Sequence, residues 1–179
     1  MTNFDLMRRR LVQATIAAGA TGSFAATQQA HAATGENDTF KYEVEFSDEQ
    51  WKAMFDAETY KILRQGDTEW PKSSKLWDDY REGNFNCVAC GLPNYTSTWR
   101  VELDKGWVFF SQSVPNSILM GIDGEPPSGM ADKSLPATIE AHCRRCGSHM
   151  GHILRVDGKV VHCINGLSLI HISEPTRPY

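Results

Sequence analysis

The chain has 179 residues, 41% hydrophobic and 22% charged, which supplies one globular core and excludes disordered, collagenous and coiled-coil classes. Its formal charge of −4 grows more negative once the two ends are set aside, which argues against a nucleic-acid partner. The five cysteines are an odd number and include two C-x-x-C pairs, which suits a metal site plus a spare thiol better than a disulfide framework.

Taken in chain order, residues 1–32 read as an export signal. Arg8, Arg9 and Arg10 are its positive segment, Leu11 to Ala25 is weakly apolar, and Ala30-His31-Ala32 is a small-x-small cleavage site. Paired arginines before a Gly/Ala-rich run resemble a twin-arginine signal, so a periplasmic protein beginning at Ala33 is expected. A basic amphipathic helix or a membrane anchor is the alternative, although the apolar run is too short and too polar to span a bilayer. Residues 33–45 form a linker that opens on small and polar side chains.

Ser47 with Gln50 fits a capping box, and Trp51, Met54 and Phe55 at i, i+3 and i+4 predict a short amphipathic helix. Asp56 caps a second helix, with Tyr60 and Leu63 facing inward and Gly66 as its stop. Both are expected to decorate the fold. From Phe85 onward, runs rich in Val, Ile, Phe and Trp between Gly, Pro, Asn and Asp predict strands at 85–88, 98–103, 107–112, 137–142, 152–156 and 159–164. Residues 114–136, rich in Pro and Gly and without a period, predict a long surface loop bordering a site. The run from Leu167 to Arg177 resembles a translated transposase adapter used in preparing sequencing libraries. The natural sequence is therefore expected to differ after about Gly166, leaving 167–179 as a tail and no functional assignment beyond Asn165.

Cys87-Val-Ala-Cys90-Gly and Cys143-Arg-Arg-Cys146-Gly are matching knuckles. A two-residue gap lets one tight turn present two sulfurs to a single ion, and four thiolates leave no open coordination position, so a structural Zn2+ is expected. Disulfides or redox-active pairs in an oxidising compartment are the alternative. Cys163 is the remaining thiol, and a small buried hydrophobe is its plainest reading. The Asp157-Gly158 turn points elsewhere, because a two-residue hairpin there pairs Val156 with Lys159 and His152 with Cys163. Opposed Cβ atoms lie about 4.5–5.5 Å apart, close enough for an imidazole to serve a thiol. Asn165, two residues on, shares the face of Cys163, and His149 enters from the turn after the second knuckle. A thiol with imidazoles and an amide beside it is a candidate nucleophile. His152 as an ordinary strand histidine, His149 as part of the knuckle and Asn165 as a turn cap remain alternatives. His142 and His162 alternate away from this face and are read as non-catalytic.

The series Phe46-Ser-Asp-Glu-Gln-Trp51, Tyr60-Lys-Ile-Leu-Arg64 with Gly66, Thr68-Glu69, both knuckles, Gly106-Trp107, His149-Met-Gly-His152, Asp157-Gly158 and Cys163-Ile-Asn165 resembles the methionine sulfoxide reductase B family over residues 46–166. The resemblance implies an all-β fold of two antiparallel sheets, a β-tent, with short N-terminal helices and zinc stapling loops away from the site. It also implies that Cys163 attacks methionine R-sulfoxide, free or in proteins, and is left as a sulfenic acid. His149 and His152 would then supply or relay the proton, Asn165 would hold water or the sulfoxide, and Trp107 would wall the substrate methyl. The family's Trp-Pro-Ser-Phe is Trp107-Val-Phe-Phe110 here, and its Arg-Tyr before the catalytic Cys is Val161-His162, which removes a cation that favours the thiolate. With no resolving cysteine left over, an external thiol is the expected reductant. A catalytically silent binding module on the same scaffold is the rival reading.

Overall fold

The computed structural model describes residues 40–123 and 138–173. The export signal, the first part of the linker, residues 124–136 of the expected loop, the first residue of the strand expected at 137–142, and residues 174–179 lie outside that range. Helix α1 (Asp48–Met54) starts as the sequence predicts: Gln50 N–H donates to Ser47 Oγ while Ser47 N–H donates back to the Gln50 side chain. Helix α2 (Ala57–Gln65) is capped by Asp56, which accepts the Thr59 N–H at 2.9 Å, and closes at Gly66 with φ 70°. Neither helix is decoration. Trp51, Ile62 and Leu63 are fully buried, the Arg64 guanidinium lies 4.7 Å over the Trp51 ring, and its Nη1 donates to the Cys146 carbonyl. The apolar stripe of each helix needs a partner, and the β layer provides it. No helix among the described residues is long and apolar enough to cross a membrane.

Eight strands follow: β1 (Gly83–Cys87), β2 (Pro93–Thr96), β3 (Val108–Phe110), β4 (Ile118–Asp123), β5 (Thr138–Cys143), β6 (His149–Val156), β7 (Lys159–Ile164) and β8 (Leu169–Ser173). They form two antiparallel sheets of order β2-β1-β8 and β3-β7-β6-β5-β4, the expected all-β class. The Asp157-Gly158 turn, with φ 47° and 79°, sets the predicted register, pairing Val156 with Lys159 and His152 with Cys163.

Three expectations are corrected. Residues 98–103 are not a strand: 97–99 form a 3-10 turn, and Arg100 makes only an isolated bridge to Phe110 while its guanidinium holds the Leu76 and Trp77 carbonyls. Part of the expected loop is strand β4, whose pattern is weak because an edge strand with Met120 and Ile122 facing solvent has no clean alternation. Past Gly166, where the fold was expected to stop, Leu169–Ser173 lie along β1 in unbroken register and bury Leu169 in the core.

Alternation along β3 divides the interior. Phe110 faces the main core with Trp51, Phe85, Tyr95, Met150 and Ile164, whereas Phe109 faces a smaller cluster with Trp107, Leu154, Val156, Val161 and Cys163.

Candidate active site and metal centre

The two knuckles close on each other. Cys87 ends β1 and Cys143 ends β5, each followed by a turn in which Gly91 or Gly147 N–H returns to the carbonyl of the first cysteine at 2.8 Å. The four sulfurs lie within 4.8 Å of one another, with Cys87 to Cys146 at 3.7 Å and Cys90 to Cys143 at 3.5 Å. A tetrahedral ion bound at about 2.3 Å by four sulfurs sets them about 3.8 Å apart, so the donor set fits a metal of that preference. Hydrogen bonding, first of all to Cys143, pushes the Cys87 thiol well up and pulls Cys146 well down. All five cysteines are free thiols in this conformation.

On the other side of the larger sheet the hairpin brings Cys163 between His152 on β6 and Phe109 on β3. Burial pushes the Cys163 thiol well above its ordinary range, and the carboxylate of Glu69 adds to it. His152 Nε2 lies 2.8 Å from Asp123 Oδ2, and burial lowers its pKa despite that partner. An Nε2–H that donates to Asp123 leaves Nδ1 with the free lone pair.

His149 reaches the same place by a bulge. On a regular strand residues 149 and 152 would point to opposite faces. The register shift at Ala141/His142 sets His142 opposite His149 and Glu140 opposite His152, and it brings the two imidazoles to 5.2 Å between centroids. His149 Nδ1 meets Glu140 Oε1 at 2.5 Å, while its Nε2 is buried without a partner. The same bulge corrects the reading of His142. It does not alternate away; its Nε2 lies 3.5 Å from Glu140 Oε2, inside the cluster. His162 does face away, toward the Tyr95 hydroxyl at 3.2 Å.

Asn165 stands before a 3-10 turn at Gly166–Ser168 but makes no side-chain cap to it. Its Oδ1 accepts the Glu69 N–H at 3.2 Å instead. The Trp107 Nε1–H donates to the Glu69 carbonyl at 3.2 Å, and its ring joins the Cys163 cluster. All five sequence-derived candidates, Cys163, His149, His152, Asn165 and Trp107, thus converge, and the four knuckle cysteines form a separate group. Asp123, Glu140 and Glu69 were not assigned roles from the sequence. Only Thr68-Glu69 carried any signal, as part of the resemblance.

A family model described as the SelR domain matches residues 55–173. Peptide methionine sulfoxide reductase B3 of Arabidopsis thaliana is 34% identical over 131 residues, covering 70% of this chain and 69% of its own length. Peptide methionine sulfoxide reductase MsrB of Thiobacillus denitrificans is 33% identical over 127 residues, 69% of this chain and 90% of its own. The MsrB protein of Leptospira interrogans is 34% identical over 132 residues, 72% of this chain and 95% of its own.

Proposed function

The chain belongs to the SelR-domain family of peptide methionine sulfoxide reductases B, and we propose that it reduces methionine R-sulfoxide through Cys163 as its one catalytic cysteine. The observation that carries this reading is the placement of Cys163 directly across the hairpin from His152, in one cluster with Trp107. A buried thiol needs a base to ionise, and the free Nδ1 of a neutral, Asp123-anchored His152 fills that role. The Cys163 thiolate attacks the sulfoxide sulfur. His149, held at Nδ1 by Glu140, supplies a proton from Nε2 to the oxygen as the S–O bond breaks. The attack joins the two sulfurs and releases the oxygen as hydroxide, which then adds to the Cys163 sulfur as the sulfur–sulfur bond breaks; methionine leaves two electrons richer, and Cys163 becomes a sulfenic acid. Two external thiols then restore the thiol, yielding a disulfide and water. The remaining four cysteines are committed to the knuckles, so no resolving thiol is at hand.

The tetrahedral thiolate set fits zinc, held by Cys87, Cys90, Cys143 and Cys146 as a structural ion that supplies folding energy and takes no part in the reaction. A twin-arginine leader would place the protein in the periplasm, where the reductant would be a thiol relay or a thioredoxin-like protein. Oxidised methionine, free or in proteins, is the partner that the apolar cluster and its polar rim accept.

One observation favours a second reading. A thiol held high by burial, with no cation beside it among the described residues, suits a silent binding module. Assay of the metal-loaded chain on separated R and S epimers of N-acetylmethionine sulfoxide, with a dithiol, separates the two. The expected result is reduction of R alone, abolished in Cys163→Ser. A folded, metal-bound chain that reduces neither epimer moves the assignment to the binding module.

A further inference from the structure

Glu69 is 2% exposed and, among the described residues, has no cation as a hydrogen-bond partner. Its Oε1 accepts the Gly166 N–H at 2.7 Å and its Oε2 accepts the Leu167 N–H at 2.8 Å, so the side chain grips the backbone as it leaves the catalytic strand. The main chain of the same residue donates to Asn165 Oδ1 and accepts from Trp107 Nε1, each at 3.2 Å. Four hydrogen bonds converge on one residue. They tie together three segments that the chain keeps 38 and 96 residues apart.

A buried carboxylate with no cation is costly, and burial, opposed by those two N–H groups, pushes its carboxyl up to about 6. Its charge also raises the thiol that the reaction must ionise. The group therefore weakens both the fold and the nucleophile, and neither packing nor acid–base chemistry accounts for a charge there. Geometry does. A backbone N–H at Oδ1 fixes the Asn165 amide in one of its two orientations, leaving Nδ2 as the donor that meets a substrate or water. The indole edge is fixed in the same way, which orients the ring that lies in the Cys163 cluster.

We propose that Glu69 is a positioning residue for sulfoxide reduction: its carboxylate clamps the turn after Cys163 so that the Asn165 amide and the Trp107 ring are presented to the substrate in one rigid arrangement. The inference rests on the reading of Cys163 as a reductase nucleophile. Misplacement by an ångström costs about a hundredfold in rate, and a hydrogen bond to a charged group is worth about ten- to a hundredfold.

The test compares Glu69→Gln and Glu69→Ala in the full, metal-loaded chain. Gln keeps one acceptor and the shape, whereas Ala keeps neither. Expected are a fall in kcat/KM for the R epimer of about tenfold in Gln and about a hundredfold in Ala, carried mainly by KM because the groups that meet the substrate are misplaced while the thiol is no harder to ionise. Alkylation of Cys163 by iodoacetamide should be no slower than in the parent, and faster where the carboxylate is gone. In 15N-tryptophan spectra the Trp107 indole resonance should shift and broaden, with the melting temperature of Glu69→Gln within a few degrees of the parent.

Activity within twofold of the parent in both variants overturns the inference. So does a loss of activity that tracks a loss of folded protein in both, with Trp107 unmoved in the fraction that stays folded. A parent chain that reduces neither epimer overturns the assignment of the reaction itself, an outcome distinct from an active parent with active variants.

Discussion

The two cysteine sites use the same side chain in opposite ways. At the knuckle end four sulfurs face one another in short turns, with the Asn94 amide and the Ser148 hydroxyl as further partners of Cys143 and Cys146. At the hairpin end a single thiol faces an imidazole, an aromatic wall and a distant carboxylate. The first arrangement offers four donors to one ion and leaves no open position, which suits a stabilising role. The second leaves nitrogen atoms unsatisfied, His149 Nε2 among them, and unsatisfied groups are what a substrate can engage. The two are separated by one sheet, whose alternation sends Phe110 to the main core and Phe109 to the thiol.

The largest effect expected from breaking that comparison is at the knuckles. Cys87→Ser or Cys143→Ser, or strong chelation, removes a binding free energy of about 10 kcal/mol or more from folding, so cooperative thermal unfolding should disappear. Cys163→Ser should leave the melting curve nearly in place while turnover vanishes. An unchanged melt after verified metal removal contradicts the structural role.

Gly151 joins the two sides, because it follows the bulge and lies against β7. It sits at φ 147°, and a Cβ there would meet the Cys163 carbonyl oxygen at 2.2 Å. Gly151→Ala should cost about 3 kcal/mol in chemical denaturation, through strain and displacement of β7. It should also lower turnover in the protein that remains folded.

Glu69 gives a pH signature of stability. Its carboxyl is raised from an ordinary 4.5 to about 6 by burial, with the Glu58 charge adding a little. The native state then holds a proton that the unfolded chain has released, so stability should fall as pH rises through that window. The full cost, about 2 kcal/mol, is present above it. Denaturation midpoints of parent and Glu69→Gln between pH 4 and 7 should therefore converge on the acid side of the window and change relative to each other across it. Parallel curves contradict the shift.

The smallest effect is expected at Asp123, whose carboxylate is half exposed and meets His152 Nε2 at 2.8 Å. Asp123→Asn should lower kcat by about tenfold with little change in KM or stability. An equal loss in Asp123→Asn and His152→Gln would instead make the pair a single catalytic unit.

Much of this was legible in the residues because it is local. A two-residue gap fixes a knuckle, Ser47 with Gln50 fixes a helix start, and Asp157-Gly158 fixes a hairpin register that sets His152 opposite Cys163, each five residues from the turn. Those signals work because the interacting groups are joined by a few bonds, so the chain has few other ways to satisfy them. Strand β4 escaped because an exposed edge carries little apolar alternation, and the supposed strand at 98–103 misled because Arg100 is anchored through its side chain. Only the tertiary structure decided which carboxylates serve the site. The bulge that turns His149 and His142 onto Glu140, the reach of Asp123 to His152 and the bond from Glu69 to Asn165 join strands and loops remote in sequence. Burial selects their partners, and burial is a property of the packed chain that no short run of residues encodes.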